Sequence, residues 1–326
     1  MCHSCDTLCI IALIHSVNRG TVITQLVQYG PALVGLLLAL IVWFFGRRAQ
    51  TSLPTRARVS TALGMVIVLA LMIVYWVWSV WPWFYPFGSD DGYLASQFLG
   101  FTAPLCLSVV ALLFLFPAGR ASAPRRSADL APRTWLTFAP RWLSLVATGV
   151  VALVVVVSVS AGLASGPDDD GRYLIFGVEA SSSTSGSTTI YGWWFSLPCL
   201  VIIAVLLAFA LAELAVISRP PLAVDRLSDT QIRTTRVRNV LVVVIGGLLL
   251  HLGAILQSLY GTSSLRLGFQ SEPAGWVSLG TSFAAIGPAL LVASYVTVTV
   301  GFAFWFAVAL STIHAPFRRL SGSVRQ

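Results

Sequence analysis

The chain has 326 residues, 57% of them hydrophobic and only 10% charged, against roughly 25% charged in an ordinary soluble domain; such a composition lacks the polar surface to cover a water-soluble globule. The net charge of +8 comes from 20 basic residues, all arginine. These arginines flank apolar runs and form no basic stripe on a soluble face, which excludes nucleic-acid binding. The apolar runs are close to the roughly 20 residues a helix needs to cross about 30 Å of hydrocarbon.

The N-terminal segment MCHSCDTLC holds Cys2, His3, Cys5 and Cys9, a spacing compatible with zinc ligation. No second CxxC follows, and the apolar run CIIALI is too short to span and lacks the flanks of a signal peptide. No metal site is assigned here. Residues 1–21 are read as an unstructured tail, or as an upstream extension of a chain that starts near Val22.

A first span at about 25–46 carries Pro31 in YGPALVGLL. A second at about 61–81 ends in WSVWPWFYPFG, which sets Trp81, Trp83 and Tyr85 at a membrane exit. These rings form either an interfacial aromatic belt or a stacking surface for a ligand. The third span, at about 96–118, contains Pro104 and Cys106. The fourth, at about 142–164, includes VALVVVVSV, whose β-branched residues suit a strand in water, but whose length and neighbours require a helix in lipid. The loop 165–190 is acidic at first and Ser/Thr/Gly-rich over 180–189, a composition expected of a mobile linker. Its DDDG lacks the alternating spacing of a calcium loop.

The fifth span, at about 191–217, opens on Tyr191, Trp193 and Trp194, continues through Pro198 and Cys199, and holds Glu213 near its end. Pro220 and Pro221 terminate it. In SDTQIRTTRVRN, Ser228 and Gln231 form a capping pair with no breaker after it, so a helix should begin ahead of the sixth span at about 239–260 and run straight in. That span contains His251. The seventh, at about 284–312, carries Pro288, and an Arg-rich tail follows over 314–326. The four prolines Pro31, Pro104, Pro198 and Pro288 stand at matching positions in alternate spans, as three helical hairpins plus one helix would place them. They are expected to bend or loosen four helix ends and so free carbonyls for a polar ligand.

These elements predict an all-α, polytopic membrane bundle of about seven helices over residues 22–313. Seventeen arginines lie in segments 47–59, 119–141, 218–238 and 313–326, and only Arg19, Arg172 and Arg266 lie in the alternate segments. Arg-rich short loops stay cytoplasmic. The N-terminus is therefore expected outside and the C-terminus inside, with anionic lipid headgroups as partners of the arginines and a partner protein at the cytoplasmic loops. The Arg-only, Ala/Val-rich composition fits a bacterial plasma membrane protein.

Chemistry needs titratable groups in proximity, and within the spans only Glu213 and His251 qualify as functional candidates. Their depths differ by about 12 Å at a rise of about 1.5 Å per residue, too far for an acid–base pair. Glu213 is expected to face an inner arginine such as Arg219 or Arg238, and His251 to hydrogen-bond across helices as a neutral imidazole. A His/Met haem with Met72 lacks a second ligand pattern, so no cofactor is assigned, and no catalytic motif occurs in a usable context. The reading is a noncatalytic, permease-like or transporter-associated subunit handling a small or amphiphilic solute. A seven-helix sensor of an outer-surface ligand is the alternative, and a membrane-embedded enzyme is third.

Overall fold

A computed structural model describes residues 29–46, 53–80, 90–116, 137–181, 184–218, 226–271 and 275–313. Seven helices among them are long and apolar enough to cross a membrane: α1 (Tyr29–Gly46), α2 (Thr55–Val80), α3 (Asp90–Leu115), α4 (Arg141–Leu163), α5 (Trp193–Ser218), α6 (Arg226–Ser263) and α7 (Gly287–Ser311). The chain is a multi-pass membrane protein. Lipid offers no hydrogen bonds to a bare backbone, so each span satisfies its own amides and carbonyls as a helix, β-branched runs included.

Burial ranks the helices. The apolar window of α6 is 89% buried within the protein and that of α1 only 11%, so α6 is the central post and α1 lies against the periphery. Around α6 pack α3, α4, α5 and α7, with α2 set between α3 and α7. Helices in a bilayer gain little from apolar burial, since lipid is equally apolar, and associate where small residues permit close approach. At Gly246 of α6 an added Cβ would sit 2.5 Å from the Trp305 ring, and at Gly301 of α7 one would sit 3.0 Å from the Gly246 carbonyl. The α6–α7 backbones therefore touch. Gly35 seats α1 on α7 in the same way, with only 2.7 Å to the Thr299 carbonyl oxygen.

α6 is longer than a crossing requires. It runs unbroken for 38 residues, about 57 Å at about 1.5 Å per residue, as the uninterrupted capping segment implied.

The segment after α4 departs from the expected mobile linker. It forms an antiparallel sheet of β1 (Gly166–Pro167), β2 (Tyr173–Ser181) and β3 (Thr184–Thr189), with Ile175 opposite Thr189 and Val178 opposite Gly186. A second hairpin, β4 (Arg266–Ser271) and β5 (Gly275–Gly280), joins α6 to α7. The YLIFGV run of β2 supplies β-branched and aromatic residues, and the threonines of β3 are themselves β-branched strand formers, which a Ser/Thr/Gly composition count conceals. The two sheets meet where Gly186 lies against Leu267, and the Phe176 ring stands 5.4 Å, edge to face, from that of Phe283 in the turn after β5. Thr262 of α6 donates to the Thr189 carbonyl at 2.8 Å, which fixes this cap on the bundle.

Candidate functional site

Proline has no N–H, so within a helix it strips a donor from the carbonyl four residues earlier. Pro104 lies inside α3, and the carbonyl it deprives belongs to Gly100. Around these two residues the bundle is hollow. An inner chamber of about 380 Å³ is walled by Pro31, Met72, Pro104, Leu250, Val298 and Phe302. A second chamber of about 610 Å³, toward the strand-bearing end, is lined by Tyr93, Ser96, Gln97, Thr188, Ser258 and Thr262. Tyr75, Gly100, Ala254 and Gln257 line both, so the two chambers adjoin at this level. There the Ser294 hydroxyl donates to Gln257 Oε1 at 3.2 Å. Deeper in, the walls are mainly apolar, with Tyr295 and Ser294 among them; toward the strands hydroxyls and amides predominate.

His251 braces this cavity without lining it. The ring is fully buried, with Nδ1 2.8 Å from the Phe101 carbonyl oxygen and Nε2 3.4 Å from the Tyr191 hydroxyl. A carbonyl only accepts, so Nδ1 carries the proton and donates; in the neutral ring Nε2 is then the acceptor of the Tyr191 hydroxyl. The cross-helix hydrogen bonding expected of His251 is thus present. Phe101 lines the polar chamber, and its ring meets Tyr191 at 4.6 Å and Phe195 at 5.3 Å between centroids.

The other sequence candidates disperse. Trp193 packs against Gly162 of α4; Trp194 is half exposed, with the Arg172 guanidinium 5.9 Å from its ring centre. Trp81, Trp83 and Tyr85 lie outside the described residues, as do Cys2, Cys5 and Cys9. Cys106 and Cys199 are free thiols, Cys199 buried.

The four prolines divide in two. Pro104 and Pro198 lie inside helices, whereas Pro288 is in the first turn of α7 and Pro31 is among the first residues of α1. At a helix start the missing N–H is an orphan in any case, so those two initiate helices and do not loosen them. Pro31 and Pro104 line the inner chamber.

Glu213 is fully buried near the opposite, arginine-bearing end, and neither of its carboxylate oxygens has a hydrogen-bond partner among the described residues. The cation close enough to act on it is Arg236. Arg236 is an inner arginine, as expected, though not one of the two named: Arg238 is exposed on another face of α6, and Arg219 lies outside the described residues. From Arg236 to His251 is about 22 Å along α6, so Glu213 and His251 belong to separate ends, as their depths implied.

Two features were not anticipated. Arg233 is fully buried, its Nε donating to Asp229 at 2.8 Å, its Nη1 to the Ile217 carbonyl at 2.7 Å, and its guanidinium 5.3 Å from the Phe138 ring centre. The neutral cavity residues Tyr75, Gln97, Gln257 and Ser294 are the other, because no charge marks them in the sequence. A glutamine within GAILQSLYG is a polar interruption of an apolar span and was a readable signal. Comparison with protein-family models, with curated proteins and with solved structures finds no match to this chain.

Proposed function

We propose that this chain is a noncatalytic, permease-like membrane subunit that holds or passes a small or amphiphilic solute. Its setting on this reading is a bacterial plasma membrane, with the strand-bearing end outside and the arginine-bearing end in the cytoplasm. The observation that carries the reading is the pair of adjoining chambers between the strands and the Pro104 level of the bundle. A proline-interrupted helix beside such a cavity is a common construction of solute sites in transporters. The second reading, a ligand sensor, draws support from the His251–Phe101 link, which ties one cavity wall to the long central helix.

The test uses a chain freed of its five native cysteines. Ala254→Cys, at the junction of the chambers, is expected to react with a small impermeant methanethiosulfonate added outside intact cells. No reaction from either side, in protein that inserts normally, defeats the solute-cavity reading. Solute flux into proteoliposomes of the purified chain favours a permease, and saturable binding without flux favours a sensor. For orientation, Ser187→Cys on β3 should label from outside and Thr55→Cys at the start of α2 should not; the reverse pattern inverts the topology.

A further inference from the structure

Resting on the reading of the cavity as the solute site, we infer that its ligand is an uncharged amphiphile, with a hydroxyl- or amide-bearing head in the strand-side chamber and an apolar tail in the inner one. The head is indicated by what the walls offer. Tyr93, Ser96, Ser258 and Thr262 supply hydroxyls, and Gln97 and Gln257 supply amides, all neutral groups that both donate and accept. Among the described residues no charged side chain lines either chamber.

Several charges among the described residues lie away from the chambers. Glu213, Arg233 and Arg236 lie toward the arginine-bearing end, Arg233 is paired with Asp229, and Arg172 is paired with Asp168 on the cap. A charged head brought into the chambers would give up hydration and meet no countercharge among the described lining residues. A neutral polyol or amide exchanges water's hydrogen bonds for those of the wall at little net cost. Gln257 is placed for this exchange: its Oε1 accepts from Ser294, and among the described residues its amide N–H groups have no partner.

The tail is indicated by the inner chamber. Met72, Leu250, Val298 and Phe302 give it an apolar wall, and at about 30 Å³ per water-sized group its volume holds about a dozen such groups. That is room for a medium-length alkyl chain. Methionine, unbranched and polarizable, conforms to chains of differing shape.

Three photoprobes with one decyl tail and a terminal diazirine discriminate the head: a glycerol monoester, a carboxylate and a trimethylammonium. Each is presented at equal mole fraction in nanodiscs holding the full chain, and adducts are mapped by peptide mass spectrometry. The glycerol ester should give saturable adducts on peptides of α2, α6 and α7 that line the inner chamber, at least about fivefold above either charged probe. Ala254→Trp should abolish those adducts, and Gln257→Leu, which loses the amide donor with little change of bulk, should weaken half-saturation about fivefold. If Ala254→Trp is not monodisperse, Gln257→Leu decides. Chamber adducts from a charged probe equal to or above those of the glycerol ester overturn the head assignment and leave the site intact. Absence of saturable adducts from all three probes overturns the solute-cavity reading itself.

Discussion

The His251 imidazole donates at 2.8 Å to the carbonyl of Phe101, the residue next to the Gly100 carbonyl that Pro104 deprives of its helical donor. A histidine on α6 thus reaches into the weakened stretch of α3 and holds it at the polar chamber. Cross-helix hydrogen bonds within membranes contribute about 0.6 kcal/mol on average and up to about 1.7. His251→Leu should therefore lower stability in detergent by about 1 kcal/mol, through loss of the cross-helix bond. His251→Asn, whose amide can take the place of the Nδ1 donor, should retain most of it. Tyr191→Phe should do little, since its 3.4 Å contact is long for a hydrogen bond. Equal losses for Leu and Asn in thermal unfolding would show that ring packing, not the hydrogen bond, fixes α3.

Arg233 should matter more than any surface arginine. Breaking a buried charge pair leaves a bare partner and typically costs about 3–5 kcal/mol, whereas exposed pairs contribute about 0–1 kcal/mol. With Arg233 fully buried and Asp229 slightly exposed, Arg233→Ala should cost about 3 kcal/mol and sharply lower the monodisperse yield. Arg233→Lys should recover little of this, because an ammonium cannot serve Asp229 and the Ile217 carbonyl with one planar fork. A lysine variant as stable as the parent would remove the fork from the account.

The α6–α7 contact is tested by two glycines in contrast. Gly301→Val must push a side chain into Leu250 and the Gly246 backbone, while at Gly149 of α4 an added Cβ meets nothing within 4 Å. Overpacking of this kind costs about 1–3 kcal/mol. Gly301→Val should unfold at markedly lower temperature than Gly149→Val, and similar melting of the two would contradict the close backbone approach.

The cap should loosen in acid. Slight desolvation pushes the Asp168 carboxyl up, but hydrogen bonds and charge from Arg172, with the Asp170 amide, outweigh it and hold the group below its ordinary value. Because the folded value is depressed, this turn's stabilisation is fully present above the unfolded value, about 3.9, and fades as pH falls through the folded one. Proteolysis near residues 168–173 should rise as pH drops from about 5 to about 3, and Asp168→Asn should make it high and flat across that range. A parental profile that is itself flat would argue against the turn's ionic origin.

The spans were legible because a bilayer imposes one length and one periodic solution on apolar runs, so seven crossings could be placed from hydropathy alone. What lay outside the hydrocarbon was less legible. β2 and β3 read as linker because serine and threonine serve loops and strands alike, and only their antiparallel register distinguishes the two. Arg236 and Arg238 are two residues apart and thus about 200° apart around a helix, so proximity to Glu213 in sequence could not choose between them. Arg233 looked like one more interfacial arginine, and nothing local in the chain marks the Ile217 carbonyl that it satisfies. The cavity arises from five helices brought together, a relationship no single segment contains.

The length of α6 has a mechanical consequence. One unbroken helix carries Arg233 and Arg236 near one end, Ala254 and Gln257 beside the cavity, and Thr262 under the cap. A rod of about 57 Å tilted by about 5° displaces one tip against the other by roughly 5 Å, comparable to a full helical turn. About a pivot at Gly246, Gln257 lies about 17 Å to one side and Arg233 about 20 Å to the other, so any tilt would move the two levels by similar amounts in opposite directions. The glycine contact with α7 sits near the middle of α6, so the helix joins the level of the cavity to the level of the buried arginines on either side of its tightest packing point.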